Sequence, residues 1–384
     1  MIVRIMPFLQ RHIVPALKII LFLGCLQTTA ESAPTTKQVT TAPVMADLNP
    51  TTHPGFVSSE FIFETAPFPS CHASTIVQQD HAMVAAWFGG TRERAPDVGI
   101  WVSRQVDGKW TPLVEVANGI QKEGPRQPCW NPVLFQPSQG PLLLFYKVGP
   151  TPRDWWGMLR SSSDGGKTWS EPTRLPDGFI GPVKNKPVEL ADGTIISPSS
   201  TEALGRTPGW VPHFEISKDF GKTWTKSAVT PNDPPHIINA IQPSILIHSD
   251  GALQAIGRTK EALVFQTFSH DHGQTWDALE FTKLPNPNSG TDAVTLADGR
   301  HLLVYNHNPL PKGRSPLNVA ISKDGKIWES AMVLESDTGE YSYPAVMQDS
   351  QKNIHIVYTW HRKRIKHTVL DPTKLITGPL PEIR

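Results

Sequence analysis

Polar side chains recur just ahead of six short apolar runs, and these are the groups able to do chemistry. The runs open at His72-Ala73-Ser74-Thr75-Ile76-Val77, Asn131-Pro132-Val133-Leu134, Lys186-Pro187-Val188-Glu189-Leu190, Gln242-Pro243-Ser244-Ile245-Leu246, Asp292-Ala293-Val294-Thr295-Leu296 and Tyr343-Pro344-Ala345-Val346-Met347. With Asn185 and Tyr341 they supply an imidazole, a carboxylate, an ammonium, two phenols and several amides. Such groups transfer protons and hold polar ligands when they converge. Any one of them could equally cap a strand with a hydrogen bond; only as a set do they favour a site.

What must position them is a repeat. Ser162–Trp169, Ser217–Trp224 and Ser269–Trp276 share the pattern Ser-x-Asp-x-Gly-x-Thr-Trp, with worn copies at Ser103–Trp110 and Ser322–Trp328. The tryptophans fall at 110, 169, 224, 276 and 328, a spacing of 52–59 residues that suits the blades of a propeller. Within each copy Asp can accept its own loop's N–H groups, Gly permits positive φ, and Trp anchors the turn. Turns such as Ala191-Asp192-Gly193, Ser249-Asp250-Gly251 and Ala297-Asp298-Gly299 end the apolar runs. Six runs predict an all-β, six-bladed β-propeller, closed by an extra strand within 56–65. The innermost strands border a central channel, so their leading residues would gather at one mouth.

Composition agrees. Among 384 residues, 18% are charged, with 37 Pro, 28 Gly and 12 Trp, which fits short strands and loops better than long helices. A formal net charge of +1 gives no footprint for nucleic acid. The cluster His361-Arg362-Lys363-Arg364 reads as a solvated or site-rim patch. No phosphate loop, dinucleotide fingerprint or metal-spaced Cys/His cluster occurs, so neither cofactor nor metal is expected.

Residues 1–30 read as an export signal: Arg4 and Arg11, an apolar stretch from Ile13 to Leu26, and a small-residue cleavage site at Thr28-Thr29-Ala30. A periplasmic or secreted protein is expected, with membrane attachment only if Cys25, in Leu23-Gly24-Cys25, is lipidated. Residues 31–54, rich in Thr, Pro and Ala, read as a lead-in and 55–384 as the propeller. Cys71 and Cys129 could pair or remain buried thiols.

The Asp-containing repeats resemble those of the sialidase superfamily over nearly all of residues 56–384. Ala86-Trp87-Phe88-Gly89-Gly90-Thr91-Arg92-Glu93 and Pro96-Asp97-Val98 are similar to a bacterial branch of sialidase-like BNR-repeat proteins. The resemblance implies a six-bladed propeller and an exo-acting glycoside hydrolase for acidic sugars. Sialidases hold the substrate carboxylate with three arginines, use Asp as acid/base, and use a Tyr–Glu pair as nucleophile. By that likeness Arg258 and Arg314 take two arginine positions, Asp97 the acid/base, and Tyr341 the nucleophile, with Tyr343 its rival. Two roles lack a counterpart: His72 stands where an arginine is expected, and Gln242 where the glutamate is. A tyrosine nucleophile would then need another base, Glu261 or Glu202. An acidic sugar other than common sialic acid follows, with His72 and Gln242 reading groups that sialic acid lacks. The expected pocket joins His72, Arg92, Asp97, Lys186, Gln242, Arg258, Asp292, Arg314, Tyr341 and Tyr343.

Two other readings stand beside it. A uronate polysaccharide lyase would use Arg258 or Lys186 to neutralise the carboxylate, and His72, His213 or Tyr341 to take the proton. A non-catalytic carbohydrate-binding propeller would stack sugars on Trp87, Trp130, Trp155, Trp156, Trp210 or Trp360.

Overall fold

Six antiparallel sheets account for the strands of the computed structural model, which describes residues 49–228, 230–232 and 237–382. The export signal and most of the lead-in lie outside the described residues. Each sheet is one blade; in blades 1 to 5 the first strand in sequence is the inner one, and in blade 6 the inner strand is Tyr341–Gln348, with the early strand Phe56–Phe61 outermost. The inner strands are Ser70–Gln79, Cys129–Phe135, Val188–Glu189, Ala240–Ile247, Asp292–Thr295 and Tyr341–Gln348 for blades 1 to 6. Each is one of the six runs picked out by its leading polar residue. Blade 6 is completed by Phe56–Phe61, which pairs antiparallel with Arg364–Leu370. Blade 1 carries a fifth short strand, Val114–Ala117, beside Gly99–Val106. No α-helix occurs among the described residues, only a 3-10 turn at Pro372–Lys374.

The Asp turns join third to fourth strands, at the channel end opposite the N-terminal ends of the inner strands. In blade 2, Asp164 accepts from the N–H of Lys167 and Thr168 and from the Thr168 hydroxyl at 2.6–3.1 Å, while Ser162 Oγ accepts Gly166 N–H at 2.8 Å. These bonds hold the Asp164 and Asp219 carboxyls well below the usual carboxylate range. The tryptophans fasten each blade to the one before it. Trp276 of blade 4 stacks on Phe214 of blade 3 at 3.8 Å, and Trp224 of blade 3 meets Phe145 of blade 2 edge-on. Cys71 and Cys129 are buried free thiols, not a bridge, and burial pushes Cys71 up to about 12.

Candidate active site

Four inner strands share a distortion at their mouth ends. The pairing slips between His72 and Thr75, Trp130 and Val133, Ile241 and Ser244, and Ser342 and Ala345. At each slip one non-glycine residue is left-handed: Ala73 (φ 57), Asn131 (φ 30), Gln242 (φ 56) and Tyr343 (φ 52). That conformation costs an L-residue about 1–2 kcal/mol, and such bulges re-aim side chains beside working sites. Here they turn Asn131, Gln242 and Tyr343 into one cavity of about 240 Å³.

Tyr343 stands at its centre. The guanidinium of Arg258 lies 5.4 Å from its ring centroid, that of Arg314 5.6 Å, and the ammonium of Lys184 5.6 Å. The His72 ring lies 4.2 Å away. Blades 1, 3, 4 and 5 thus each bring one basic side chain to a ring on blade 6. No hydrogen-bond partner for the Tyr343 hydroxyl occurs among the described residues.

The cations differ in their partners. Arg258 is 6% exposed; it donates to the Asn288 carbonyl at 3.2 Å, leaves Nε unpaired, and has no carboxylate partner among the described residues. Arg314 donates to Glu340 at 2.8 Å. Glu340 also accepts from Arg362, which pairs in turn with Glu93. Burial raises Glu340, but Arg314 and Arg362 outweigh it and keep the carboxyl below its ordinary range.

His72 is neutral. Burial drives its pKa well below 6.5, helped by Arg362, Arg314, Arg258 and Lys184. Its Nδ1 is bonded to the Thr359 hydroxyl at 2.9 Å, which leaves Nε2 for the cavity. It cannot replace an arginine as a cation, though it can exchange hydrogen bonds. Gln242 is held through its backbone by Ser200 and Asn185, and its Oε1 is buried without a partner.

Five expected members lie elsewhere. Lys186 and Asp292 line the channel on the far side, a cavity of about 400 Å³, as an ion pair at 3.3 Å. Asp292 also accepts from Ser244, Ala293 N–H and Val346 N–H, tying blades together. The inner strands of blades 3 and 5 pair without a slip, so nothing re-aims these two residues to the mouth. Tyr341 packs in the apolar core between blades 5 and 6, its hydroxyl on His361 at 3.2 Å. Asp97 is exposed and outside the cavity lining. Its carboxylate accepts from the N–H and hydroxyl of Thr91; slight burial raises it, but those bonds leave it lowered. Arg92 is exposed, while its neighbours Glu93 and Arg94 face the cavity. Away from the cavity, His213 is engaged with Glu215 at 3.2 Å and Glu261 with Asn239 at 2.9 Å.

The cavity also holds Glu93, Arg94 and Asn288 on its rim and Lys184 behind Tyr343, which the sequence does not single out for it, beside Glu202, Trp130, Trp155 and Trp210, which it does. Glu202 lines it without a hydrogen-bond or ion-pair partner among the described residues. Trp130, Trp155 and Trp210 form an aromatic side, with Arg258 5.3 Å and Lys260 4.6 Å from the Trp210 ring. Glu202 and Trp210 face each other at the end of the hairpin formed by Ile195–Glu202 and Trp210–Ser217.

Among the described residues no cluster of three or more His, Cys, Asp or Glu could hold a metal, and no helix is long and apolar enough to cross a membrane.

Comparison with known proteins places this cavity in context. A sialidase of Micromonospora viridifaciens is 31% identical over 238 residues, half of this chain and 34% of that protein. A sialidase of Bacteroides fragilis is 24% identical over 239 residues, 57% of this chain and 41% of that protein. The aligned part therefore spans less than half the length of either relative. The solved NanB sialidase of Streptococcus pneumoniae superposes with a TM-score of 0.66 over 84% of this chain and 71% of its own, at 12% identity, a likeness of fold. Residues 81–356 match the BNR repeat-like domain, and the chain belongs to that family, built as a six-bladed propeller of sialidase type.

Proposed function

We propose that this protein is an exported glycoside hydrolase that releases an acidic sugar, with Arg258 and Arg314 holding the sugar's carboxylate and Tyr343 as nucleophile. One observation carries the reading: Arg258 is a buried cation without a carboxylate partner among the described residues. Leaving such a charge uncompensated costs several kcal/mol, and a carboxylate ligand would offset it through bidentate bonds. The two sialidase relatives support the same chemistry.

In this scheme the Tyr343 oxygen bonds to the anomeric carbon as the bond to the leaving oxygen breaks. The phenol proton leaves through water in the open cavity. Glu202, the unpaired carboxyl of the lining, protonates the leaving oxygen, taking the role that the resemblance gave to Asp97. It then draws a proton from the water that releases the sugar. Gln242 Oε1 accepts a hydrogen bond from a ring substituent, and His72 Nε2 accepts or donates one according to its tautomer. The aromatic side at Trp155 and Trp210 receives the leaving group.

A lyase acting on uronates is the second reading, and the neutral His72 favours it, because an unprotonated imidazole is in the form that can accept a proton. One screen separates them: aryl glycosides of sialic acid and of uronic acids followed for aryl release, and a 4-linked uronate oligosaccharide followed for ultraviolet absorbance of an unsaturated product. Aryl release from a uronide or a related keto-sugar acid, exceeding that from the sialoside, is expected. Sialidase-grade turnover of the sialoside would overturn the substrate assignment, and an absorbing product would establish the lyase. The export reading is checked by sequencing the amino terminus of the protein recovered outside the cytoplasm.

A further inference from the structure

Lys184 precedes the inner strand of blade 3 and is 3% exposed. Its ammonium donates to Asn185 Oδ1 at 2.7 Å, to the Thr291 carbonyl at 2.8 Å and to the Pro344 carbonyl at 2.7 Å. Thr291 leads into blade 5, and Pro344 follows Tyr343 directly. Three acceptors match the three hydrogens of an ammonium, whereas a neutral amine has two. Gly290 lets the stem lie this close: a Cβ there would sit 2.7 Å from Lys184 Cε and 3.1 Å from Tyr343 Cδ2. A left-handed tyrosine persists only where its surroundings over-determine it, and the bond to the next carbonyl is one such constraint.

We propose that Lys184 is the positioning residue of this site, holding Tyr343 in its left-handed conformation through the Pro344 carbonyl, so that the cavity is competent only while the lysine carries its third hydrogen. The proposal rests on reading Tyr343 as the reacting phenol. Burial pulls Lys184 down to about 7; Asp292 pulls it up, and Lys186 and Arg258 push it further down. Around Lys184 and Tyr343, His72 is already neutral, Glu340 is held low by Arg314 and Arg362, and the arginines stay charged, while the carboxyls of Glu93 and Glu202 also face the cavity. Below about pH 7 all three bonds stand. Above it one buried carbonyl loses its donor, and Tyr343 is released from its strained conformation.

The test uses the full chain with ring-13C tyrosine. Its five tyrosines give few signals, and Tyr343→Phe identifies the one of interest. In the parent protein this signal is expected to move between two positions with a midpoint near 7. In Lys184→Met it should hold the high-pH position throughout, while Lys147→Met, which removes the other buried lysine, should keep the transition. On an activated aryl glycoside, whose leaving group does not need the Glu202 proton, turnover should fall about tenfold per pH unit above the same midpoint, through kcat rather than KM. A parent spectrum without a transition near 7 overturns the proposal, even if Lys184→Met fails to fold. So does a Lys184→Met spectrum that titrates like the parent. Absence of turnover on every acidic sugar would instead defeat the hydrolase reading, and the spectrum would still decide the role of Lys184.

Discussion

Arg314 donates to Glu340 at 2.8 Å, and Arg362 donates to the same oxygen at the same distance. Glu340 thus takes up part of the charge that Arg314 would offer a ligand, whereas Arg258 has no such competitor. The two guanidiniums flanking Tyr343 are therefore unequal. Arg258→Ala is expected to weaken binding of an acidic sugar by roughly ten- to a hundredfold, the worth of one charge-assisted contact. Arg314→Ala should cost less than about tenfold. Calorimetric titration with free uronic and sialic acids reads both; a larger loss at Arg314 would contradict the ranking.

Tyr343→Phe keeps the ring and its cation contacts but removes the hydroxyl. Turnover should fall by at least about a hundredfold, with the melting temperature little changed. Tyr341→Phe should do the reverse. It breaks the bond to His361 in a core position, costing about 1 kcal/mol of stability, and leaves kcat within a few-fold. Paired kinetics and melting curves decide the assignment.

For the acid, Glu202→Gln should reduce kcat/KM by roughly a hundred- to ten-thousandfold on a natural glycoside and far less on an activated aryl glycoside, whose leaving group needs no proton. Asp97→Asn should leave both substrates nearly unaffected, since that carboxylate is engaged by Thr91. A collapse at Asp97 with activity retained at Glu202 would restore the assignment that the family resemblance implies.

Two buried lysines tie stability to pH. Lys147 bonds the carbonyls of Asn131 and Pro182, and burial pulls both it and Lys184 from 10.5 down to about 7. Because the folded values lie below the unfolded ones, the unfolded chain binds more protons between about 7 and 10.5. Stability should therefore rise with pH across that window from these two groups. Urea midpoints measured at several pH values should climb, and the climb should shrink in Lys147→Met. Conditions that favour Tyr343 positioning are then those in which the fold is less stable.

The sequence made the architecture readable because blade repetition leaves two marks, the Asp turns and the apolar inner strands, each spaced by about one blade. The mouth was only half readable. Counting to the residue before each apolar run finds Asn131, Gln242 and Tyr343, where a slip in pairing turns them inward. The same count misplaces Lys186 and Asp292, whose strands pair regularly and point them into the channel. A bulge is a backbone event with no residue type of its own; two of the four left-handed positions are an alanine and a tyrosine, neither of which advertises that conformation. Tyr341 and Tyr343 were likewise inseparable from spacing alone, since both stand in one short stretch and only the slip between Ser342 and Ala345, which takes in Tyr343 and not Tyr341, decides which faces the ligand. Lys184 escaped notice because two of its three partners are backbone carbonyls on other blades, which no side chain in the sequence marks.

The strand Phe56–Phe61 that completes blade 6 has its partner about 300 residues away, the separation of the Glu64–Arg364 ion pair beside it. During synthesis this segment emerges early and must wait, unpaired, until nearly all of the remaining blades have left the ribosome. An orphan edge of that kind invites pairing with other chains. Its sequence, Phe-Val-Ser-Ser-Glu-Phe, sets two serines and a glutamate before its closing aromatic, which suits a strand that must stay unattached through translation and yet dock last.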